Sequence, residues 1–376
     1  MKSFFAFILL CFVFITSYSQ EKNSNGEHFL LAGTYTGGAS KGIYVYSFNG
    51  KTADYKELST YKTDNPSYLA VSPNQKYVYA VNELGADNGS GTISAFAFNK
   101  ITGGLTFLNK QSTHGDDPCY VAIDKTGKWI VAGNYTGGNF AVFPVNNDGA
   151  LAAASTVINH TGQGPNKERQ EKPHVHCTIF SPNNKFLFVA DLGIDKIVAY
   201  HFNEKTGTVK AAPEFSKSLN GGTGPRHFIF NASGKNAYLI EELSGNVIAF
   251  SYNKGKLKQL QQISSLPKDY KGSIGSADIH ISSDGKFLYT SNRGDANLIS
   301  IFKVNTTGNL AWQGSVSTMG IQPRNFNFDP KENYLLVANQ ATDDMVIFNR
   351  DKKTGLLTYS GKKINIPKPV CIKWIN

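Results

Sequence analysis

Residues 65–83 read NPSYLAVSPNQKYVYAVNE, two short strand-forming segments joined by a polar turn at Asn74 and Gln75. Aromatic, aliphatic and small residues alternate in both segments, which predicts a β-hairpin. Five further copies of the first segment follow: DPCYVAI (117–123), VHCTIF (175–180), GPRHFIF (224–230), SADIHI (276–281) and QPRNFNF (322–328). The chain therefore repeats one hairpin six times, and repeats of this kind decide the architecture.

The spacing of the copies indicates how many strands each repeat holds. We call the residue that begins each first strand the start residue: Pro66, Pro118, Val175, Pro225, Ser276 and Pro323. Successive start residues lie 47 to 57 residues apart, which leaves room for four short strands. After the first hairpin, GTISAFAFN and LTFLNKQST supply a third and a fourth strand. Four strands per repeat predict the blades of an all-β propeller.

The two ends of the chain carry complementary fragments. Residues 29–36 (FLLAGTYT) resemble a second strand without its first, and residues 368–374 (KPVCIKW) resemble a first strand without its second. Pairing Pro369–Trp374 antiparallel with Phe29–Tyr35 gives a seventh blade that closes the ring and removes a free sheet edge. An open array of six hairpins, or a β-sandwich, would leave both fragments unexplained. The expected fold is a seven-bladed β-propeller.

Composition and charge narrow the class of protein. Of 376 residues, 36 are glycine, 12% are aromatic and 18% are charged, which is typical of a globular β protein and excludes a disordered chain, collagen or a coiled coil. The formal net charge is +10, but the lysines are scattered and no nucleic-acid-binding module is present. We therefore expect a small anionic molecule, and no nucleic acid, as the partner.

The N-terminus has the pattern of a secretory signal peptide. A basic start at Lys2 precedes the apolar run Phe4–Ile15, and Ser17 and Ser19 provide small residues before a cleavage site. The apolar run is too short to span a bilayer, so we expect no integral membrane segment once the signal is removed. The expected organisation is a signal peptide at 1–19, a linker at 20–28 and one propeller domain at 29–376, exported to the periplasm or secreted.

Cysteine and histidine spacing gives little sign of a metal or disulfide framework. Cys119, Cys177 and Cys371 remain after signal removal, an odd number without paired spacing, and we expect them to be small core residues. His174 and His176 form an HxH pair, but no third ligand follows at a fixed spacing. The sequence predicts neither a metal nor another cofactor.

One spacing points to a functional site. In each copy, 17 residues separate the start residue from the end of the second strand, and a hairpin places these two ends side by side. Propeller inner strands line a central channel, so positions +1 and +17 should meet at one mouth of it. Position +1 is occupied by Ser67, Cys119, His176, Arg226, Ala277, Arg324 and, by closure, Val370. Position +17 is occupied by Glu83, Tyr135, Leu192, Glu242, Arg293, Gln340 and, by closure, Tyr35.

Arginine, glutamate and histidine are concentrated at these positions in a chain that has few charges. A wet channel mouth also tolerates charge, and Arg–Glu pairs can simply satisfy one another there. The set as a whole favours an anion-binding, acid–base site, because guanidinium groups hold carboxylates, phosphates or oxyanions while a carboxylate or imidazole moves protons.

With these residues identified, the chain resembles the lactonase family of seven-bladed propellers, which includes the propeller-type 6-phosphogluconolactonases and is similar to the carboxy-cis,cis-muconate cyclases. The supporting motifs are GTYTGGASKGIYVYSFN (33–49), RQEKPHVHCTIFSP (169–182), GPRHFIF (224–230), EEL (241–243) and SNRG (291–294). In the cyclase branch a histidine, an arginine, a glutamate and a second arginine are the active residues. The resemblance therefore implies that His176, Arg226, Glu242 and Arg293 are catalytic.

Our hypothesis is a metal-independent hydrolase of a sugar lactone, with 6-phosphogluconolactone implied by the resemblance. Arg226 and Arg293 would hold the anionic group or the oxyanion, and Glu242 and His176 would activate water and protonate the leaving alkoxide, in roles that could be exchanged. The remaining expected substrate-binding residues are Glu83, Tyr135, Arg324 and Gln340. A lactonising cyclase, and a non-catalytic propeller that binds a carbohydrate or a protein, remain as alternatives.

Overall fold

The computed structural model describes residues 26–376, and this part of the chain forms 29 β-strands in seven antiparallel sheets. Both termini build blade 1: β1 (Glu27–Thr34), β2 (Gly42–Asn49), β3 (Tyr55–Lys62) and β29 (Pro369–Ile375). Blade 2 contains β4 (Leu69–Val71), β5 (Tyr77–Asn82), β6 (Thr92–Phe98) and β7 (Leu105–Ser112). Blade 3 contains β8 (Pro118–Ile123), β9 (Trp129–Asn134), β10 (Asn139–Pro144) and β11 (Thr156–Asn159).

The second half of the chain continues the pattern. Blade 4 contains β12 (Val175–Phe180), β13 (Phe186–Asp191), β14 (Lys196–Phe202), β15 (Val209–Ala211) and β16 (Lys217–Ser218). Blade 5 contains β17 (Pro225–Phe230), β18 (Asn236–Glu241), β19 (Asn246–Asn253) and β20 (Lys256–Ser264). Blade 6 contains β21 (Ser276–Ile281), β22 (Phe287–Asn292), β23 (Leu298–Val304) and β24 (Leu310–Ser317). Blade 7 contains β25 (Pro323–Phe328), β26 (Tyr334–Asn339), β27 (Asp344–Arg350) and β28 (Leu357–Asn365). Residues 26–376 also contain three short 3-10 turns, at Ala86–Asn88, Leu192–Ile194 and Pro213–Phe215.

The sheets are arranged as a closed ring. The innermost strand of each blade contacts the innermost strands of the two neighbouring blades, in the order β29, β4, β8, β12, β17, β21, β25 and back to β29. This order is what a seven-bladed propeller requires, and it confirms the fold expected from the repeat. An open array or a sandwich would not bring β25 back to β29.

Blade 1 closes as the complementary fragments predict. Strand β1 pairs antiparallel with β29, with Phe29 opposite Ile375 and Ala32 opposite Ile372. The first strand begins slightly earlier than expected, at Glu27, because residues 27 and 28 continue the ladder with β2. These two residues therefore belong to the propeller and not to the linker that was expected to end at residue 28.

The hydrophobic core lies between neighbouring blades. Tyr289, Phe326 and Phe348 fill the space between blades 6 and 7, and similar clusters occupy the other interfaces. Each sheet is therefore covered on both faces, which explains why the middle strands are apolar along most of their length.

The expected signal peptide and most of the expected linker lie outside the described residues. Within residues 26–376, none of the helical segments has the length and apolar character needed to cross a membrane.

Candidate active site

A backbone hydrogen bond repeated in all seven blades builds the rim of the channel. In each blade the N–H at position +17 donates to the carbonyl of the residue before the start residue, for example Glu242 to Gly224 at 2.7 Å and Arg293 to Gly275 at 3.0 Å. The bond places position +17 beside the beginning of the first strand, where position +1 also lies, as the sequence predicts.

A β-bulge turns position +1 toward the channel. In blade 4 the pairing passes from Val175 directly to Cys177, which leaves His176 as an extra residue without a partner on β13. Cys119, Arg226 and Arg324 are skipped in the same way in blades 3, 5 and 7. Because a bulge re-aims the extra side chain, these blades direct position +1 away from the ladder.

The two sets of residues meet around one cavity of about 300 Å³. Seven of its eight lining residues occupy positions +1 and +17 of the repeat: Glu83, Cys119, Tyr135, His176, Glu242, Arg293 and Arg324. Arg169 is the eighth lining residue. Carboxylates, guanidiniums and an imidazole therefore share a volume suited to a small ligand.

Glu242 is the electrostatic centre of this cavity. Its Oε2 accepts hydrogen bonds or ion pairs from Arg226 Nε at 2.8 Å and Arg293 Nη2 at 3.1 Å. Its Oε1 accepts from Arg169 Nη2 at 2.6 Å. Burial disfavours the charged form of Glu242, but the three guanidiniums outweigh burial and hold its pKa well below the ordinary range. Glu242 is therefore a carboxylate at any physiological pH.

Arg226 lies beneath the cavity and does not line it. Its side chain is only 1% exposed, and its Nη1 donates to the carbonyl oxygen of Ala277 at 2.5 Å. Below it, His227 Nδ1 donates to Asp278 Oδ1 at 2.7 Å, and burial together with the Arg226 charge lowers the pKa of His227 to about 4. Arg226 is thus fixed between Glu242 and a neutral histidine, in a position to orient the carboxylate.

His176 contributes an uncharged imidazole. Burial and the nearby Arg226 lower the pKa of His176 well below its ordinary value, so the ring is neutral at physiological pH. Its Nδ1 lies 3.8 Å from the sulfur of Cys119. Burial raises the pKa of the Cys119 thiol, so the sulfur stays protonated and is a poor nucleophile.

The guanidinium donors of Arg324 have no hydrogen-bond partner within residues 26–376 and can therefore serve a ligand. Among the described residues it makes no hydrogen bond; its Nη2 lies 3.7 Å from Glu83 Oε2, and its guanidinium lies over the ring of Tyr35 at 5.3 Å. The Tyr35 hydroxyl donates to Glu83 Oε1 at 2.7 Å and so holds that carboxylate in place. Arg324 is therefore oriented by its neighbours, while its N–H groups remain available to a ligand.

Arg169 is the lining residue that the repeat could not identify. It lies on the connection 160–174 between β11 and β12, which we call the strap, and its Nη2 also donates to the Tyr135 hydroxyl at 3.2 Å. A signal was present, because the interval from Pro118 to Val175 is the longest of the six-copy series. The extra residues form the strap, but the spacing alone does not say which of them reaches the cavity.

Other expected or noted positions lie elsewhere. The backbone N–H of Gln340 makes the common rim bond to the carbonyl oxygen of Gln322, but its side chain does not line the cavity. The repeat spacing predicts where the backbone lies and does not predict which rotamer the side chain adopts. Leu192 is fully buried in the core. Ser67 and Val370 lie with Arg226 around a much smaller space of about 10 Å³.

The HxH pair does not form a shared site. His174 stacks on Tyr135 with ring centroids 4.4 Å apart and bonds Glu171, whereas His176 faces the cavity. Across residues 26–376, no group of three or more His, Cys, Asp or Glu side chains is arranged to hold a metal ion.

Comparison with known proteins agrees with this architecture. A Bacillus subtilis protein named 6-phosphogluconolactonase is 38% identical over 348 residues, which cover 92% of this chain and 97% of that protein. The crystal structure of a Bacteroides fragilis protein, solved as a candidate 6-phosphogluconolactonase, superposes with a TM-score of 0.89 at 45% identity and covers 94% of this chain and 99% of that one. The Pseudomonas aeruginosa periplasmic gluconolactonase superposes with a TM-score of 0.89 at 35% identity and covers 93% and 99%. Residues 29–374 match the family described as "Lactonase, 7-bladed beta-propeller", and the chain belongs to that family.

Proposed function

We propose that the protein is a lactone hydrolase that opens the ring of a sugar lactone of the 6-phosphogluconolactone type. The observation that carries the proposal is the meeting of Glu242, His176 and three lining arginines on one small cavity. The names of the Bacillus and Pseudomonas relatives support the same reaction class.

The reaction needs a base, an oxyanion site and an acid. A water molecule gives a proton to Glu242 or His176 as its oxygen bonds to the lactone carbonyl carbon, and the carbonyl electron pair moves onto oxygen. Arg293 faces the cavity and stabilises this oxyanion. The carbonyl forms again as the ring C–O bond breaks, and the leaving alkoxide takes the proton that Glu242 or His176 accepted from water, which gives a hydroxy acid and restores the base.

The two proton carriers differ in their resting state. Glu242 is charged and fully engaged with arginines, whereas His176 is neutral. Both can accept a proton from water, and the group that accepts it then holds the proton that the leaving alkoxide takes.

Charge favours an anionic substrate. The cavity lining carries three arginines against two glutamates, and buried Arg226 adds a further positive charge beneath it. Arg324 has unused donors in this setting, and a guanidinium binds a phosphate or carboxylate with two directed hydrogen bonds. We therefore assign Arg324 to the anionic substituent of the lactone, with Glu83 and Tyr135 facing its hydroxyl groups.

A panel of lactones tests this function. The purified mature protein should accelerate ring opening of 6-phosphogluconolactone above the spontaneous rate, and unphosphorylated gluconolactone more weakly. No acceleration for any lactone, together with tight binding of a sugar acid, would instead support a binding protein. Ring closure of an unsaturated dicarboxylate would support a cyclase.

We also propose that the protein acts outside the cytoplasm. The proposal rests on the signal-peptide pattern of residues 1–19 and is supported by the periplasmic gluconolactonase among its structural relatives.

A further inference from the structure

The strap is held at both ends by one carboxylate. His160 Nδ1 lies 2.6 Å from Asp191 Oδ2, and the backbone N–H of His174 donates to Asp191 Oδ1 at 2.8 Å. In the middle, the buried side chain of Gln170 donates to the carbonyl oxygen of Leu192 at 2.8 Å. The backbone next to Arg169 is therefore fixed against blade 4.

The Arg169 side chain is much freer than its backbone. It is 42% exposed, compared with 1% for Arg226 and 17% for Arg293. Its hydrogen-bond partners among the described residues are two side chains, Glu242 and Tyr135.

The other two guanidiniums on Glu242 are tied to the main chain. Arg226 donates to the carbonyl oxygen of Ala277, and Arg293 Nε donates to that of Gly275 at 3.0 Å. Of the three cations on Glu242, Arg169 is thus the one that can exchange its partner without breaking a bond to the backbone.

Such an exchange would solve a chemical difficulty at this site. A general base works best when its pKa lies near the working pH, and a carboxylate held by three guanidiniums is too weakly basic to take a proton from water efficiently. The groups that face Glu242 are Arg169, Arg226 and Arg293, with Tyr135, Arg324 and His176 at the same cavity. Removal of one cation from Oε1 would raise its basicity and expose the oxygen.

We propose that Arg169 is a substrate-sensing residue, which holds Glu242 before substrate binds and turns to the anionic group of the lactone when that group binds beside Arg324. This inference rests on the proposed lactonase function. Both guanidiniums line one cavity small enough for a single sugar-sized ligand to contact both. The turn frees Oε1 of Glu242 to accept a proton from water, so the substrate's own charge activates the base. A neutral lactone leaves Arg169 on Glu242 and is turned over slowly.

The test compares 6-phosphogluconolactone with gluconolactone in the wild type, Arg169→Gln and Arg169→Lys. Loss of one charge-assisted contact should lower kcat/KM of Arg169→Gln for the phosphorylated lactone about 10- to 100-fold. The kcat for the neutral lactone should stay the same or rise, because Glu242 has lost its third cation. The acid limb of the pH profile of kcat/KM should also move to higher pH in Arg169→Gln. Arg169→Lys should restore part of the preference for the phosphorylated lactone over the neutral one.

Lys167→Gln is the matched control, since it removes one exposed positive charge from the same strap and should change neither substrate. If Arg169→Gln lost the same factor in kcat/KM for both lactones and the acid limb did not move, the role of Arg169 would be purely structural and the inference would be overturned. An unchanged ratio of kcat/KM between the phosphorylated and the neutral lactone would also overturn it. If the wild type accelerates neither lactone, the proposed function fails. The binding of an anion by Arg169 is then tested separately, by the change in melting temperature when inorganic phosphate is added. Inorganic phosphate should raise the Tm of the wild type more than that of Arg169→Gln; equal shifts would overturn the inference.

Discussion

Removal of the closing strand should have a large effect on stability. Deletion of residues 368–376 takes away β29, in which Val370, Ile372 and Ile375 are each no more than 1% exposed. Burial of such a side chain contributes about 1.5–3 kcal/mol, so these three alone account for about 5–9 kcal/mol. That is comparable with the whole stability of a typical domain, about 5–15 kcal/mol. The deletion also leaves the edge of β1 unpaired.

The effect can be measured by urea or thermal unfolding followed by circular dichroism. We expect the deleted protein to be unfolded or aggregated at 25 °C, or to melt far below the wild type. Removal of exposed Asn376 alone is the control and should cost far less, because it breaks exposed hydrogen bonds to Gln75 and Lys100 but takes away no buried apolar side chain. If the deletion of residues 368–376 left the unfolding curve unchanged, the closure of the ring by β29 could not be a source of stability.

Three further outcomes follow from the site and the N-terminus. Arg324→Gln should raise KM for the phosphorylated lactone about 10- to 100-fold while KM for gluconolactone changes little, as steady-state kinetics would show; equal changes would remove Arg324 from anion binding. The pKa of Glu242 is lowered in the folded state, so its ion pairs stabilise the fold above the unfolded pKa of about 4.3. The unfolding free energy of the wild type, measured in urea titrations, should therefore exceed that of Glu242→Gln by less and less as the pH falls below that value. A difference that does not change with pH would contradict this linkage. Mass spectrometry of protein from its native host should find residues 1–19 missing, and an intact Met1 in cytoplasmic protein would contradict export.

The repeat predicted a large part of the site because backbone spacing is periodic in a propeller. Start residues such as Val175 and Pro225 located the rim, and the bulge after them directs His176 to the cavity and Arg226 to the channel beneath it. The spacing could not predict how deep in the channel each side chain lies, because that depends on the length and rotamer of the side chain. It placed Arg226 at position +1 and Gln340 at position +17 of the same channel mouth, although Arg226 is buried under Glu242 and Gln340 does not line the cavity.

Arg169 escaped prediction for a different reason. The strap occurs in one blade, so nothing in the other repeats indicates its path. Its position depends on tertiary contacts, above all those of Asp191 with His160 and His174, which join residues far apart in the repeat pattern. The closing blade, by contrast, was predictable because each terminal fragment lacked the strand that the other supplied.

Lactone hydrolysis in this cavity should depend on the Glu242 carboxylate. The most direct measurement is the enzymatic rate of 6-phosphogluconolactone opening, corrected for the spontaneous rate, in the wild type, Glu242→Gln and the exposed control Glu168→Gln, with folding checked by circular dichroism. We expect Glu242→Gln to lose about 10²–10⁴-fold in kcat with little change in KM, and Glu168→Gln to match the wild type. Full activity in folded Glu242→Gln would show that the reaction does not use the Glu242 carboxylate.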